Sequence, residues 1–148
     1  MLIERVSWLC RDYRLDGEGD GYAEVIFSNR SNMSYDDIRD YLRLLLRQHE
    51  ADPQKVQIVP TVIDPGRIRS VEHSKLAGLQ VADAVASGIH SSVKVNRYGE
   101  TEPAYLPHLR SSLYRYKGVV LGYGIKVWPE DYDAIKTKAP EIENLGGL

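Results

Sequence analysis

The sequence predicts an α/β fold: a small sheet with packed helices, in a single domain over 1–148. Three observations predict it. Apolar residues recur at helical spacing near the start of the chain and again after Ser34. β-branched and aromatic runs read as strands at 22–27, between those stripes, and at 56–63, after the second. A long helix rich in small residues follows at 74–93. The length of 148 residues fits one domain, and chains of this size bury roughly 68–70% of their unfolded surface. With 43% hydrophobic and 27% charged residues, the composition is that of a globular protein rather than a disordered chain.

The first helix is expected over Leu2–Tyr13. Leu2, Val6, Leu9 and Tyr13 form its apolar stripe, with Ile3 and Cys10 beside them. It has no N-cap residue ahead of it, which predicts missing upstream structure. Asp16 to Gly21 alternates acids with glycine and reads as a flexible loop. An EF-hand would need a Glu at the twelfth position and flanking helices. Tyr22–Phe27 reads as a strand, ended by the turn residues Ser28 to Asn32. Ser34 is the predicted N-cap of the next helix, with Asp37 three residues on. Asp36 and Asp37 in its first turn and Arg43 and Arg47 towards its end suit the helix dipole. Ile38, Tyr41, Leu42 and Leu45 should be its buried face. Val56–Ile63 is the second predicted strand, with Pro60 placing it at an edge or bulge. Asp64-Pro65-Gly66 then reads as a turn.

The helix over Ser74–Val93 carries Ala77, Gly78, Ala82, Ala84, Ala86 and Gly88. At 100° per residue, Gly78, Ala82, Val85, Ile89 and Val93 share one face, and only Gln80, Ser87 and Ser91 make a clearly polar strip. Such a helix should be largely buried. Pro103–Tyr116 looks helical, with Pro107 early, where a first turn tolerates it. Gly118–Ile125 reads as a short strand or extended segment. Pro129, Glu130 and Asp131 open a weak last helix, and 141–148 reads as a loose tail.

The net charge of −2 conceals an asymmetry. Residues 1–74 hold 10 basic and 13 acidic side chains, and residues 75–148 hold 9 and 8. Between 94 and 126 stand Lys94, Arg97, Arg110, Arg115, Lys117 and Lys126, opposed only by Glu100 and Glu102. That local positive patch suits an anionic partner. Aromatics interleave with it: Tyr98, Tyr105, Tyr114, Tyr116, Tyr123 and Trp128. Cations contact phosphates and aromatic rings stack on exposed bases, so the segment suits a nucleic-acid surface. It also suits an amphipathic helix with core tyrosines.

The single cysteine, Cys10, excludes an intramolecular disulfide framework and a Cys-based zinc site. It lies on an apolar stripe and reads as a core thiol. No basic segment leads an apolar one at the start, and no apolar run approaches the ~20 residues of a membrane span. A cytoplasmic chain without a membrane partner is expected. There is no Walker motif, nucleophile elbow, dinucleotide fingerprint or His-Glu-x-x-His motif. His73 and His90 read as packed or exposed side chains. Asp83 sits at the margin of the apolar arc of its helix. A carboxylate there meets either a cationic side chain or a divalent cation. Catalytic Mg²⁺ or Mn²⁺ needs two or more carboxylates, and Glu72 and Asp64 precede the helix. Asp64 beside a Pro-Gly pair also reads as an Asx-turn residue.

The helix His73 to Ser87, with Gln80-Val81-Ala82-Asp83 at its centre, resembles the "Gln-apolar-Ala-Asp" helix of domain of unknown function family 3800. Leu2 to Asp12, Ile26 to Arg30 and Leu121 to Pro129 resemble further segments of that family, in the same order. The resemblance covers a family-like core at 1–129. It implies a place in the RNase H-like superfamily, whose members are expected to be metal-dependent nucleases or related phosphoryl-transfer proteins near mobile elements or phage-defence genes. It also implies that Asp83 is the late-helix acid and would share Mg²⁺ or Mn²⁺ with an acid of the first family strand; Glu72 is a second candidate metal ligand from its place before the helix alone. No Asp-Glu-Ser strand is present here. The chain is therefore expected to be the C-terminal half of the family domain, reduced or truncated.

Two functions compete on this reading, ahead of a third, an intact hydrolase whose missing acids come from elsewhere, such as Glu72, Asp64 or another subunit. One is a nucleic-acid-associated protein of degenerate nuclease descent, with Asp83 as its remaining acid and Arg97, Arg110, Arg115, Lys117 and Lys126 on phosphates. The other is a non-enzymatic protein-binding module, for example a phage-encoded inhibitor of a host defence system. A cut sheet leaves apolar surface for a second chain to cover, so a homodimer or protein partner is expected.

Overall fold

The computed structural model describes residues 2–13, 19–128 and 132–147. It is a mixed α/β chain. In order come α1 (Leu2–Asp12), β1 (Ala23–Ser28), α2 (Tyr35–Ala51), β2 (Ile63–Val71), α3 (Ala77–Val93), α4 (Leu106–Leu109) and α5 (Tyr132–Lys138). Short 3₁₀ helices lie at Pro60–Val62, His73–Lys75, Arg110–Ser112 and Pro140–Gly147. β1 and β2 pair in parallel as a two-stranded sheet. The chain divides into two compact units, Met1–Leu79 and Gln80–Leu148, and the division falls inside α3. No described helix is long and apolar enough to cross a membrane.

The first unit is a β–α–β crossover. β1 presents Val25 and Phe27 to one side, and α2 covers that side through Leu42 and Leu45. The core holds Leu42, Leu45, Val56, Ile58, Val62, Ile63 and Ile68. Ser34 caps α2 as expected, its side chain accepting from the Asp37 amide at 3.2 Å. Tyr35 closes the β1–α2 turn: its hydroxyl donates to the Ser28 carbonyl and accepts from the Arg30 amide, both at 2.9 Å. Arg39 reaches from α2 to the Ile68 carbonyl at 2.7 Å. Tyr41 departs from expectation. It is exposed, because Leu42 and Leu45 already fill the arc that meets the sheet.

The residues before β2 also depart from expectation. Val56 and Ile58 are buried, as a strand would bury them, but 56–59 joins no ladder. Pro60 has no amide proton and instead opens a 3₁₀ turn. α1 supplies the missing partners. The Ser7 hydroxyl donates to the Glu4 carbonyl at 2.6 Å and accepts from the Val59 amide at 3.0 Å. Glu4 accepts from the Gln57 amide at 3.0 Å, and the Trp8 indole donates to the Gln57 carbonyl at 2.6 Å. The strand begins at Ile63 and runs through the expected turn. Ala23 pairs with Ile63 and Val25 with Ile68, so 64–67 bulge out of register. Asp64 accepts from the Gly66 amide at 2.7 Å within that bulge.

In the second unit Leu106, Val120, Ile125, Ile142 and Leu145 form the core, with Ile89, Val93, Leu113 and Ile135 against it. The tail expected at 141–148 carries the last 3₁₀ helix and buries Ile142 and Leu145. The helix expected over 103–116 is cut to one α turn and one 3₁₀ turn. Arg115 donates to the Arg110 carbonyl at 2.7 Å, the acceptor that a continuing helix would offer to the Tyr114 amide. Pro107 lies in the first turn of α4, as expected. Gly118–Ile125 forms isolated bridges, Tyr116 with Val119 and Leu121 with Ile125. Pro129, Glu130 and Asp131, like Asp16, Gly17 and Glu18, lie outside the described residues.

α3 is where expectation and structure differ most. Ala82, Ala84 and Ala86 are exposed and Val81 is 62% exposed. Only its last turns reach the second core: Ile89 and Val93 pack there, and Gly88 lies close to Tyr105 and Leu109. Small side chains bury only where another surface lies against them.

The outward face of the sheet carries ion pairs. Arg69 on β2 binds Glu24 on β1, and Arg67 binds Asp20. The hydrogen bond from Arg69, reinforced by its charge, holds the Glu24 carboxyl below the ordinary glutamate range. The amide of Tyr22 and the side chain of Arg67 do the same for Asp20. A depressed carboxyl stabilises the fold above its unfolded pKa and loses that contribution as pH falls through the folded one. Both groups are exposed, so the effect is screened by solvent and salt. Thermal melts should therefore be flat above about pH 5 and fall on acidification from there. Glu24→Gln should flatten part of that decline, and melts of the two proteins across this range check it.

Candidate functional site

Asp83 lies on α3, exposed, and makes no hydrogen bond or ion pair with the described residues. Glu72 precedes the 3₁₀ turn of 73–75 and pairs with Lys75 at 2.6 Å. Asp64 is engaged in its own bulge and approaches Arg67 at 3.7 Å. Among the described residues, no three His, Cys, Asp or Glu side chains gather into a set that could hold a metal ion. Asp83 and Glu72, the two acids marked as metal ligands by the sequence, belong to no such set among the described residues. His73 and His90 are exposed. Burial pushes the Cys10 thiol up, which keeps it protonated and unreactive at neutral pH.

The basic and aromatic residues of 94–128 form a more definite arrangement. Three cations stand over neighbouring rings. The Arg97 guanidinium is 4.7 Å from the centroid of Tyr98, Lys117 is 5.5 Å from that of Tyr116, and Lys126 is 5.7 Å from that of Trp128. Tyr98 is 69%, Tyr116 41% and Trp128 79% exposed. Aromatic residues of this size are usually buried; here they project as cation–ring pairs. Arg110 is exposed. Arg115 is half-buried, with its guanidinium bonded to the Arg110 carbonyl, so it shapes the backbone.

The chain around the Lys117–Tyr116 pair is tightly turned. Tyr123 packs against Tyr114 edge-on at 6.3 Å and against Tyr116 at 5.1 Å. Tyr114 is buried, so the three rings form a ladder from core to surface. Gly124 permits it. A β-carbon at that position would stand 2.4 Å from the Tyr114 carbonyl oxygen and 3.0 Å from its nitrogen. Two opposing acids, Glu100 and Glu102, lie nearby in sequence. Glu102 accepts from the Ala104 amide at 3.1 Å, which turns its carboxylate into a local cap.

The sequence marks Arg97, Arg110, Arg115, Lys117 and Lys126 as candidate phosphate contacts. The structure displays Arg97, Lys117 and Lys126 beside exposed rings and ties Arg115 inward. The aromatic partners Tyr98, Tyr116 and Trp128 were legible as an interleaved pattern, and Gly124 as a site residue was not. No family model, curated protein or solved structure matches the chain.

Gly124→Ala should disrupt the tyrosine ladder, because backbone atoms of Tyr114 cannot move away cheaply. A loss of about 1–3 kcal/mol or more is expected, as for other overpacked sites. Chemical denaturation, with the near-ultraviolet tyrosine signal as a second readout, checks it.

Proposed function

We propose that this chain is a nucleic-acid-associated protein that binds without catalysis through the cation–aromatic surface of its second unit. One observation carries the reading: the Arg97–Tyr98, Lys117–Tyr116 and Lys126–Trp128 pairs, each combining a phosphate-type contact with an exposed ring. The six-to-two excess of cations over carboxylates between 94 and 126 adds the electrostatic footprint. Descent from an RNase H-like nuclease, with Asp83 as the remaining acid and Mg²⁺ or Mn²⁺ once held between two elements, stays a reading from the family resemblance.

A labelled oligonucleotide should bind with an affinity that falls linearly with the logarithm of salt concentration. Arg97→Ala and Lys117→Ala should each weaken binding and reduce the salt slope by about 1. Binding that is absent, or indifferent to salt, removes the proposal. A second reading, a protein-binding module closed by a partner or a second copy, is favoured by the exposed small and apolar side chains Val81, Ala82, Ala84 and Ala86 on α3. Light scattering at micromolar concentration should then show a dimer that Val81→Lys returns to monomer. A monomer throughout leaves the homodimer without support.

A further inference from the structure

The pairs Arg97–Tyr98 and Tyr116–Lys117 both sit on tight, hydrogen-bonded turns. In the first, the Asn96 side chain accepts from the amides of Tyr98 at 2.8 Å and Glu100 at 3.1 Å. The Asn96 amide donates to the Glu100 carbonyl at 2.8 Å, and Gly99, at φ +83°, donates back to the Asn96 carbonyl at 3.1 Å. Four bonds within five residues fix the loop, so Tyr98 is displayed by a rigid turn. In the second, Tyr116 and Val119 exchange both backbone bonds, at 3.1 and 3.0 Å, around Lys117 and Gly118. Lys117 has φ +50° and Gly118 has φ +83°. These signs are those of a two-residue type I′ turn, which favours Asn-Gly or Gly-Gly.

Lys117 is therefore unusual. It is the described non-glycine residue with positive φ, a conformation that an L side chain with a β-carbon disfavours. It is exposed, so no packing explains its retention. Its ammonium stands over Tyr116, whose ring is backed by Tyr123. A turn that gives up stability to place a cation beside a supported ring is the pattern of a binding device.

We propose, resting on the nucleic-acid reading above, that this surface takes single-stranded rather than duplex nucleic acid. Tyr98 and Tyr116 are the base-stacking rings, and Arg97 and Lys117 contact the adjoining phosphates. In a duplex, base faces are covered by their neighbours in the stack and offer a ring nothing. In a single strand they are open, and every base has such a face. A duplex reader would need cations and a groove-filling helix. Each of the two short turns here carries an exposed tyrosine ring beside a cation instead, and the excess of cations along 94–126 matches a phosphate chain.

The test is fluorescence anisotropy on the full chain with labelled oligo(dT), oligo(U) and a mixed-sequence duplex of equal length at one salt concentration. One or both single strands should bind at least about tenfold more tightly than the duplex. Tyr98→Ala and Tyr116→Leu should each weaken single-strand binding about tenfold, in the range of one lost stacking contact, and leave the duplex unchanged. Lys117→Gly should raise the melting temperature, by relieving the turn, and still weaken binding. Lys117→Arg should restore it. No binding to any probe overturns the nucleic-acid reading itself. Duplex binding equal to or tighter than single-strand binding, with the tyrosine variants unaffected, overturns the single-strand assignment alone. Undiminished binding by Lys117→Gly overturns the role given to that turn.

Discussion

Two parallel strands cannot be joined by a hairpin, and the first unit is organised around that constraint. The chain leaving β1 must travel back along the sheet before β2 can begin, and a helix is the compact way to do so. α2 is that helix, and the return journey gives the sheet its cover. Leu42 and Leu45 meet Val25, Phe27 and Ile68 because the crossover lays the helix over that face. Tyr35 at the start of α2 and Arg39 one turn later bind strand carbonyls, at Ser28 and Ile68. His49 near the end of α2 meets the Val56 carbonyl at 2.7 Å, where the chain turns back.

Two strands alone give such a core little area, and α1 extends it. Ile3, Val6 and Cys10 pack against the core from its side. The polar atoms of Glu4, Ser7 and Trp8 answer the backbone of Gln57 and Val59. Residues 56–59 bury apolar side chains, and buried amides without partners would oppose that. Ser7, 0% exposed, is the point at which the two demands meet. The second unit solves the same problem with turns instead of a sheet. Its core gathers residues from α3, α4, the turn segment from Leu113 to Val127, α5 and the last 3₁₀ helix. Asn144 joins the ends, donating to the Ser92 carbonyl at 2.6 Å.

Much of the first unit was legible because its signals are local. The stripe of α1, the β-rich run before Ser28 and the Ser34 cap each depend on neighbours within a few residues. The β2 boundary was not legible. Val56 to Val59 has the composition of a strand, and only the position of α1 shows that its amides are satisfied by side chains. The Asp64-Pro65-Gly66 signal was read correctly as local geometry, yet a bulge holds it within a strand. At 110–114 the helix gives way to an extended Leu113, and the Arg115 guanidinium, five residues along, occupies the Arg110 carbonyl. In α3, periodicity marked an apolar face without showing what lies against it. For the site, interleaved cations and aromatics were visible in the sequence. Lys117 in a left-handed conformation and Arg115 turned inward depend on backbone geometry that spacing does not carry.

The places where local preference is overruled are informative in themselves. In most of this chain the sequence and the backbone agree: Ser at the cap, Pro in a first turn, Gly at φ +83° to +85° in the turns at 99, 118 and 122. Folding selects such agreement, so exceptions concentrate where something besides folding is selected. The exposed rings of Tyr98 and Trp128 contribute little to any core, and Lys117 occupies a turn position that glycine would fill more stably. Asp83 is a different case. An exposed acid on a helix is tolerated at almost no cost, so its presence there carries no comparable implication. On the proposed reading, the chain concedes stability at the Lys117 turn and not at the acid. That difference, rather than the count of charges, favours a binding surface over a surviving catalytic centre.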